Sequence, residues 1–236
     1  MPMFKTSLAL AAAALAVLSP VGAFAQETET AAVPATEVAA PQQDTRTYGP
    51  VNFDMAFEPE NILLLDLSNG QRVAIRLMPD WAPNHVERIK TLTRQGFYDG
   101  IIFHRVIDGF MAQTGDPTGT GTGASELPDL EQEFNPMPHV RGTVAMARAA
   151  AENSANSQFF IVFYPRFSLD EKYTNFGRVI SNMAAVDAIQ RGEPPQNPTR
   201  IVQASIAADN KPVPVARALD GAPEVTVDEL NAPLGN

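Results

Sequence analysis

The chain has 236 residues, of which 44% are hydrophobic and 19% charged, so it is long enough to bury one sizeable core. Its formal net charge of −10 opposes contact with phosphate backbones, and we therefore expect no nucleic-acid partner. It contains no cysteine, which excludes a thiol nucleophile, a Cys-ligated zinc site, a disulfide and a lipid-modified N-terminal cysteine.

The N-terminus predicts a secretory signal peptide over residues 1–25. Lys5 precedes an apolar run over residues 8–18, and the small residues Ala23 and Ala25 mark the expected cleavage site. A membrane-spanning anchor is the alternative, but this run is well short of the ~20 apolar residues that a span requires. We therefore expect an exported protein without a membrane anchor.

Three further segments follow the signal peptide. Residues 26–55 are rich in Ala, Thr, Pro and Gln without apolar periodicity, which predicts a disordered linker. Residues 56–210 are expected to form the folded domain. Residues 211–236 are again rich in Pro and Ala and are interpreted as a flexible tail, in which residues 224–227 (EVTV) could add an edge strand.

The folded domain begins with a predicted hairpin and a helix. Strands are predicted over residues 61–67 and 71–77, and Asn-Gly at their junction is a strong hairpin signal. The spacing of apolar residues predicts a helix within residues 82–96, with Pro83 in its first turn and Gly96 just beyond its end.

The rest of the domain is rich in short predicted strands. A second helix is predicted over residues 182–191, and the strands are expected at residues 101–105, 109–113, 140–147, 158–163, 175–180 and 200–208. Seven or eight strands and two helices indicate a mainly β fold, a closed and largely antiparallel barrel whose ends the helices cover.

Several possible chemistries lack support in the sequence. His85, His104 and His139 are far apart and show no HExxH spacing, so each is interpreted as a structural or surface residue. Residues 119–124 (GTGTGA) fit the dinucleotide-binding pattern, but an Asp-Pro precedes them and no helix signal follows. They are interpreted as a loop of special backbone geometry. No serine lies in a GxSxG motif, so no covalent nucleophile is visible.

The segment FHRVIDGFMAQTGD, residues 103–116, is the remaining candidate. If residues 108 and 109 form a turn, alternation along the two arms of the hairpin places Arg105, Met111 and Gln113 on one face. The alternative interpretation is an arginine salt-bridged on a barrel surface above a core phenylalanine.

Long motifs decide between these interpretations. Residues 98–123 (YDGIIFHRVIDGFMAQTGDPTGTGTG), 141–149 (RGTVAMARA) and 156–161 (NSQFFI) resemble the signature blocks of the cyclophilins, the cyclosporin-type peptidyl-prolyl cis-trans isomerases. The FGRVI segment that follows Leu169-Asp170 is similar to the next block of that family. The resemblance extends in order from about Asn61 to Asp209.

The resemblance implies a closed eight-stranded antiparallel barrel, capped by two α-helices, with an outer groove that binds proline-containing peptides. It implies that Arg105 is the catalytic residue and that no metal or cofactor is needed. The residues that it implies for substrate binding are Phe110, Met111, Gln113, Gly121, Ala147, Arg148, Ala149, Gln158, Phe160, Leu169 and Tyr173.

Three positions depart from the eukaryotic members of the family. Arg148 replaces an Asn that contacts the substrate backbone, Tyr173 replaces a His that lines the pocket, and Ser168 stands where a Trp favours cyclosporin binding. These residues resemble those of the bacterial exported branch. They bear on cyclosporin affinity more than on catalysis.

We therefore expect a periplasmic, monomeric isomerase that acts on unfolded or flexible proline-containing polypeptides and assists the folding of exported proteins. The alternative is a chaperone or adaptor of the same fold that binds such segments with little catalysis. A barrel without a peptide groove is the third possibility.

Overall fold

The computed structural model of the protein describes residues 44–214. The predicted signal peptide, the first part of the predicted linker and the EVTV segment of the tail lie outside the described residues. Within residues 44–214, no helix has both the length and the apolar character that crossing a membrane requires.

Eight antiparallel strands and two α-helices make up the domain. The helices are α1 (Pro83–Arg94) and α2 (Met183–Asp187), and short 3₁₀ helices lie at Pro59–Asn61, Phe167–Leu169 and Ala207–Asp209. The strands are β1 (Ile62–Leu67), β2 (Arg72–Leu77), β3 (Arg105–Ile107), β4 (Met111–Thr114), β5 (Thr143–Met146), β6 (Phe159–Val162), β7 (Asn175–Ser181) and β8 (Ile201–Ile206).

The strands form one curled sheet in the order β3-β4-β6-β5-β7-β2-β1-β8. This confirms the mainly β, eight-stranded antiparallel fold with two helices, but closure of the barrel is not established. The end strands β3 and β8 do not pair along their lengths, because β3 begins only at Arg105. The residues just before Arg105 approach the start of β8 instead. A single bridge joins Ile102 to Arg200, beside a hydrogen bond from the Ile201 N–H to the Ile101 carbonyl (2.8 Å).

The concave side of the sheet contains the hydrophobic core. Inward-facing residues alternate with outward-facing ones along the strands, so Val106, Ala112 and Ile161 are buried in the same cluster as Leu63 and Ile75. Helix α1 adds Val86, Ile89 and Leu92 from the one face that the 3.6-residue period aligns. Burial of each large aliphatic side chain contributes about 1.5–3 kcal/mol.

The ends of α1 are set by residues that the sequence analysis identified. Pro83 occupies the first turn, where a backbone N–H would lack a partner, and Gly96 adopts φ +72° just after the helix. The Glu133 carboxylate accepts the N–H groups of Asn84 (3.1 Å) and His85 (3.0 Å) and contacts the His85 ring (2.6 Å). His85 is thus part of a buried helix cap.

Helix α2 is shorter than predicted. It ends at Asp187 rather than continuing to residue 191. The Arg191 guanidinium donates hydrogen bonds to the carbonyls of Asp187 (2.8 Å) and Ile189 (2.5 Å), and so satisfies carbonyls that the helix end leaves without an intrahelical partner.

Residues 44–58 form a strap against the domain without regular secondary structure. Arg76, which is 2% exposed, donates to the carbonyls of Asn52, Asp54, Phe57 and Glu58 over 2.6–3.1 Å. Arg46 similarly bonds to the carbonyls of Trp81, Glu133 and Phe134. The part of the predicted linker within the strap is therefore packed on the domain.

Candidate active site

A row of side chains crosses four neighbouring strands on the outer face of the sheet. The register pairs Arg105 of β3 with Gln113 of β4, Gln113 with Phe160 of β6, and Phe160 with Ala145 of β5. Directly opposed residues in antiparallel strands project to the same side, so these four groups are neighbours. Met111, two residues before Gln113, lies on that side too, which confirms the common face predicted from alternation.

The turn of the β3–β4 hairpin presents Phe110 beside this row. Gly109 has φ +65°, and the Phe110 N–H donates to the Ile107 carbonyl (3.1 Å). The Arg166 guanidinium lies 5.2 Å from the Phe110 ring centroid and donates to the Gly109 carbonyl (3.0 Å). A cation thus supports both the turn and its aromatic ring.

An apolar cluster forms the floor and one wall beside the row. Met111, Ala145, Phe160 and Val162 are buried although they face away from the core, and Leu169 and Tyr173 pack against them. The Phe160 and Tyr173 rings meet edge to face, with centroids 5.7 Å apart. An apolar concavity on the outside of a sheet is typical of a ligand-binding surface.

Two adjoining cavities occupy this face. The first, of about 260 Å³, is lined by Arg105, Phe110, Met111, Gln113, Ala147, Arg148, Phe160, Leu169 and Tyr173, all of which the sequence analysis proposed. The second, of about 400 Å³, shares Gln113, Ala147 and Arg148 with the first and includes Gly121, Ala149 and Gln158. The structure therefore brings all twelve proposed site residues into one continuous groove.

The second cavity also contains residues that the sequence analysis missed. They come from the Gly/Thr loop and from two neighbouring loops: Thr122, Gly123, Ala124, Asp129, Ser154 and Asn156. Within this loop the resemblance had indicated only Gly121, and the residue pattern by itself gave no further contact. The position of the loop next to Gln158 in space brings its neighbours into the groove.

A chain of amide groups connects the two cavities. Gln113 Nε2 donates to Gln158 Oε1 (2.9 Å), and Gln158 Nε2 donates to the carbonyls of Gly121 (3.1 Å) and Gly123 (2.8 Å). Each glutamine amide is held by its neighbour, so the polar edge of the groove is ordered before any peptide binds.

Asp116 organises the Gly/Thr loop at the far end of this chain. Its carboxylate is 1% exposed and accepts hydrogen bonds from the Thr118 N–H (2.7 Å), the Thr118 hydroxyl (2.7 Å) and the Gly121 N–H (2.5 Å). Burial raises the pKa of Asp116, but these hydrogen bonds outweigh it and hold that pKa at about 2. Gly115, with φ +87°, precedes the loop where an added Cβ would lie 2.4 Å from the Ser157 carbonyl oxygen.

Glu193 engages one of the three guanidinium nitrogens of Arg105. The Arg105 Nε donates to the Glu193 carboxylate (2.8 Å), while the two terminal nitrogens have no hydrogen-bond partner among residues 44–214. Arg105 is one of the residues that line the first cavity. The Arg105–Glu193 pair was not predicted, because 88 residues separate its members.

Arg148 holds the wall of the groove together. Its Nε and Nη2 donate to the Lys172 carbonyl (3.1 and 3.0 Å), and its Nη1 donates to the carbonyls of Ala149 (3.0 Å) and Ala150 (3.1 Å). Its guanidinium also lies 4.9 Å from the Tyr173 ring centroid. Arg148 lines the groove and also fixes two of the loops that form it.

The two other histidines are buried near the groove. Neither ring nitrogen of His104 has a hydrogen-bond partner among residues 44–214, and burial lowers the pKa of His104. His139 stacks on Phe160 with ring centroids 6.4 Å apart, and its Nδ1 lies 2.8 Å from Asp170. Burial lowers the pKa of His139 even though Asp170 acts in the opposite direction.

Within residues 44–214, no three His, Cys, Asp or Glu side chains come close enough to hold a metal ion. Ser157 is fully buried, and its hydroxyl donates to the Gly115 carbonyl (2.8 Å), which agrees with a structural role.

Comparisons with known proteins agree with this geometry. The family model described as cyclophilin type peptidyl-prolyl cis-trans isomerase/CLD matches residues 63–206. A probable peptidyl-prolyl cis-trans isomerase of Brucella suis is 48% identical over 179 residues, which cover 69% of this chain and 91% of that protein. Peptidyl-prolyl cis-trans isomerase B of Bacillus subtilis is 40% identical over 128 residues, which cover 54% of this chain and 89% of the Bacillus protein.

Solved structures show the same fold. Cyclophilin AquaCyp293 from Hirschia baltica superposes with a TM-score of 0.61 at 30% identity, covering 66% of this chain and 77% of that one. A cyclophilin type peptidyl-prolyl cis-trans isomerase from Cryptosporidium parvum, crystallised in the presence of the dipeptide Ala-Pro, has a TM-score of 0.57 at 27% identity. That match covers 61% of this chain and 98% of the other.

Proposed function

The chain belongs to the cyclophilin-type peptidyl-prolyl cis-trans isomerases, and we propose that Arg105 is its catalytic residue in assisting the folding of exported proteins. The observation that carries the catalytic part is the row of Arg105, Gln113 and Phe160 along one cavity of about 260 Å³. This row combines a permanent cation, an amide and an apolar wall.

These groups suit a reaction that breaks no covalent bond. The two planar states of an X-Pro bond differ by only about 0.5–1 kcal/mol, whereas rotation crosses a barrier of roughly 18–20 kcal/mol because twisting removes amide resonance. In the twisted state the prolyl nitrogen becomes pyramidal and recovers a lone pair. A donor directed at this nitrogen binds the twisted state more tightly than either planar state, which is the requirement for catalysis.

Arg105 can supply that donor. A guanidinium remains protonated at every physiological pH, and the terminal nitrogens of Arg105, which lines the cavity, have no partner among the described residues. A hydrogen bond to a charged group contributes about 1.5–3 kcal/mol, and each 1.4 kcal/mol is a tenfold change in rate. Arg105 alone would therefore account for roughly a ten- to hundredfold acceleration.

The apolar wall and the glutamines supply the remainder. Phe110, Met111, Phe160 and Leu169 would surround the pyrrolidine ring and remove water from the amide, which weakens the solvation of its charge-separated planar form. Gln113, already fixed by Gln158, would hold one side of the peptide while the other side rotates. Neighbouring residues of the peptide would extend into the second cavity.

The proposal that the protein acts in the periplasm is based on its sequence. The signal-peptide pattern of residues 1–25 and the resemblance to the bacterial exported branch support release into the periplasm, where unfolded or flexible proline-containing polypeptides are the substrates. Periplasmic release is tested by gentle opening of the outer envelope. The mature protein should then appear in the released fraction with its N-terminus at about residue 26.

Refolding of a protein whose slow phase is limited by proline isomerisation tests the catalytic proposal. Uncatalysed isomerisation takes tens of seconds to minutes, so acceleration by catalytic amounts of enzyme is readily measured. Arg105→Ala should lower kcat ten- to hundredfold while peptide affinity changes much less. Arg94→Ala, which removes an exposed guanidinium on α1, is the matched control and should leave kcat unchanged.

A different result would indicate the adaptor instead of the folding catalyst. If the wild-type protein binds a proline peptide but leaves the slow refolding phase unaltered, its function in the cell is to hold such segments. If Arg105→Ala weakens peptide binding as much as it lowers kcat, the guanidinium contributes uniform binding and the proposed role of Arg105 is wrong.

A further inference from the structure

Glu193 lies directly opposite the proposed catalytic arginine although it belongs to none of the eight strands. The backbones of Val106 and Gly192 exchange two hydrogen bonds, Val106 N–H to Gly192 O (2.8 Å) and Gly192 N–H to Val106 O (2.9 Å). The bridge is antiparallel, so the residue before Val106 faces the residue after Gly192. Arg105 and Glu193 therefore form a cross-strand pair whose side chains project to the same side.

The backbone around Glu193 is restricted, which fixes this pairing. Gly192 adopts φ +143°, and an added Cβ would lie 2.6 Å from the Cα of Pro195. Pro194 follows Glu193 directly, and Pro195 is buried. Proline rings limit the backbone angles of this segment, so the backbone of Glu193 is held beside β3.

From this geometry we infer that Glu193 is a positioning residue for Arg105, an inference that rests on the proposed catalytic role of Arg105. The carboxylate accepts the Nε–H (2.8 Å), while the terminal nitrogens of Arg105, a residue that lines the first cavity, have no partner among the described residues. An exposed arginine otherwise samples many rotamers, and ordering it upon substrate binding costs entropy. Glu193 orders the guanidinium beforehand and so increases the fraction of productive encounters.

The effect should appear in turnover and depend on the presence of Arg105. Glu193→Gln keeps the shape and removes the charge, and we expect it to lower kcat about two- to fivefold, the range typical of an exposed ion pair. Peptide affinity should change less than kcat, because the apolar wall is untouched. In an Arg105→Ala background, the same Glu193→Gln change should have no further effect on kcat.

Glu60 provides a closely matched control. It pairs with Arg94 at 2.9 Å with side chains 50% and 41% exposed, against 2.8 Å with 51% and 42% for Glu193 and Arg105. Glu60→Gln therefore removes an ion pair of similar length and exposure away from the groove, one that uses a terminal nitrogen of Arg94 instead of Nε, and it should leave kcat unchanged. Thermal unfolding of all variants verifies that the fold is intact.

NMR gives a second readout, the Nε–H resonance of Arg105, which would not respond to Glu193→Gln if Glu193 had a purely structural role. In the wild type, the Arg105 Nε–H resonance should exchange slowly with solvent and shift upfield when Glu193→Gln removes its charged acceptor. The inference is overturned if Glu193→Gln leaves kcat unchanged or raises it, or if it lowers kcat equally in the presence and absence of the Arg105 side chain. If Arg105→Ala itself leaves kcat unchanged, the proposed function of Arg105 fails, and that outcome is separate from a failure of Glu193 alone.

Discussion

Arg148 shows how a residue that departs from a family pattern can keep a site intact. Its guanidinium donates to three backbone carbonyls and lies over Tyr173, the other departure on this wall. The two replacements are thus structurally linked: a cation occupies one position and an aromatic ring occupies the other. The edge-to-face contact between Tyr173 and Phe160 carries this arrangement to the apolar floor.

Removing the Arg148 side chain should loosen the wall without stopping the reaction. Arg148→Ala leaves the carbonyls of Ala149, Ala150 and Lys172 without their charged donor and frees the Tyr173 ring. We expect peptide KM to rise about three- to tenfold with kcat within twofold of wild type, because the guanidinium of Arg105 is untouched. Steady-state kinetics with a proline peptide measures both, and a fall in kcat with unchanged KM would contradict this role.

The sequence predicted site residues well where they lie close together along the chain. Arg105, Met111 and Gln113 could be placed on one face because alternation in a hairpin is a local rule. Which residues bind a peptide came from the resemblance. Glu193 and Asp129 were missed because their approach depends on loops that return from distant parts of the chain, and no local rule gives that approach.

At the level of elements, the strap of residues 44–58 is joined to the domain mainly through backbone groups. Its composition indicated disorder, since it lacks apolar periodicity, yet the buried Arg76 of β2 donates to its carbonyls, and its own Arg46 donates to carbonyls of the domain. Nothing in the composition of this segment predicts that a buried arginine elsewhere will donate to its backbone. Burial lowers the pKa of Arg76, although the nearby Glu58 and Asp54 carboxylates oppose this.

Arg76→Gln should release the strap. Removing a buried cation that serves four carbonyls should lower the free energy of unfolding by about 2–4 kcal/mol and expose residues 52–58 to hydrogen exchange and proteolysis. Arg141→Gln, which breaks an exposed ion pair with Asp187, is the control and should cost under about 1 kcal/mol. Unchanged exchange in residues 52–58 would show that other contacts hold the strap.

Secondary-structure elements whose ends depend on local residues were predicted more accurately than elements that depend on pairing with distant residues. The β1–β2 hairpin and α1 agree with the sequence analysis to within one or two residues, since Asn-Gly, Pro83 and Gly96 act locally. The strand predicted at residues 101–105 was wrong over most of its length. Its residues are extended and apolar, but pairing there is limited to the Ile102 bridge toward Arg200, and the regular ladder starts at Arg105.

The whole molecule should lose stability as the pH falls below neutrality. Burial lowers the pKa of both His104 and His139 in the folded state, so these rings bind fewer protons there than in the unfolded chain, where the ordinary pKa is near 6.5. The free energy of unfolding therefore decreases as the pH drops below about 6.5. For each histidine the slope cannot exceed about 1.4 kcal/mol per pH unit.

Chemical denaturation between pH 7.5 and 5 measures this dependence above the range where ordinary carboxyl groups titrate. His104→Gln removes one of the two rings whose pKa burial lowers and should make the slope shallower over the same interval. A free energy of unfolding that stays constant from pH 7.5 to 5 in the wild type would mean that the two histidines take up protons without unfolding.

The groove described above lies on the outside of the curled sheet, while the inside is filled by the core. A polypeptide that binds there as proposed needs no free end and no threading: an interior stretch of a long chain can lie sideways across the surface and depart the same way. An enzyme of this kind can act on a proline in the middle of a loop without enclosing its substrate, and on many prolines of one substrate in succession.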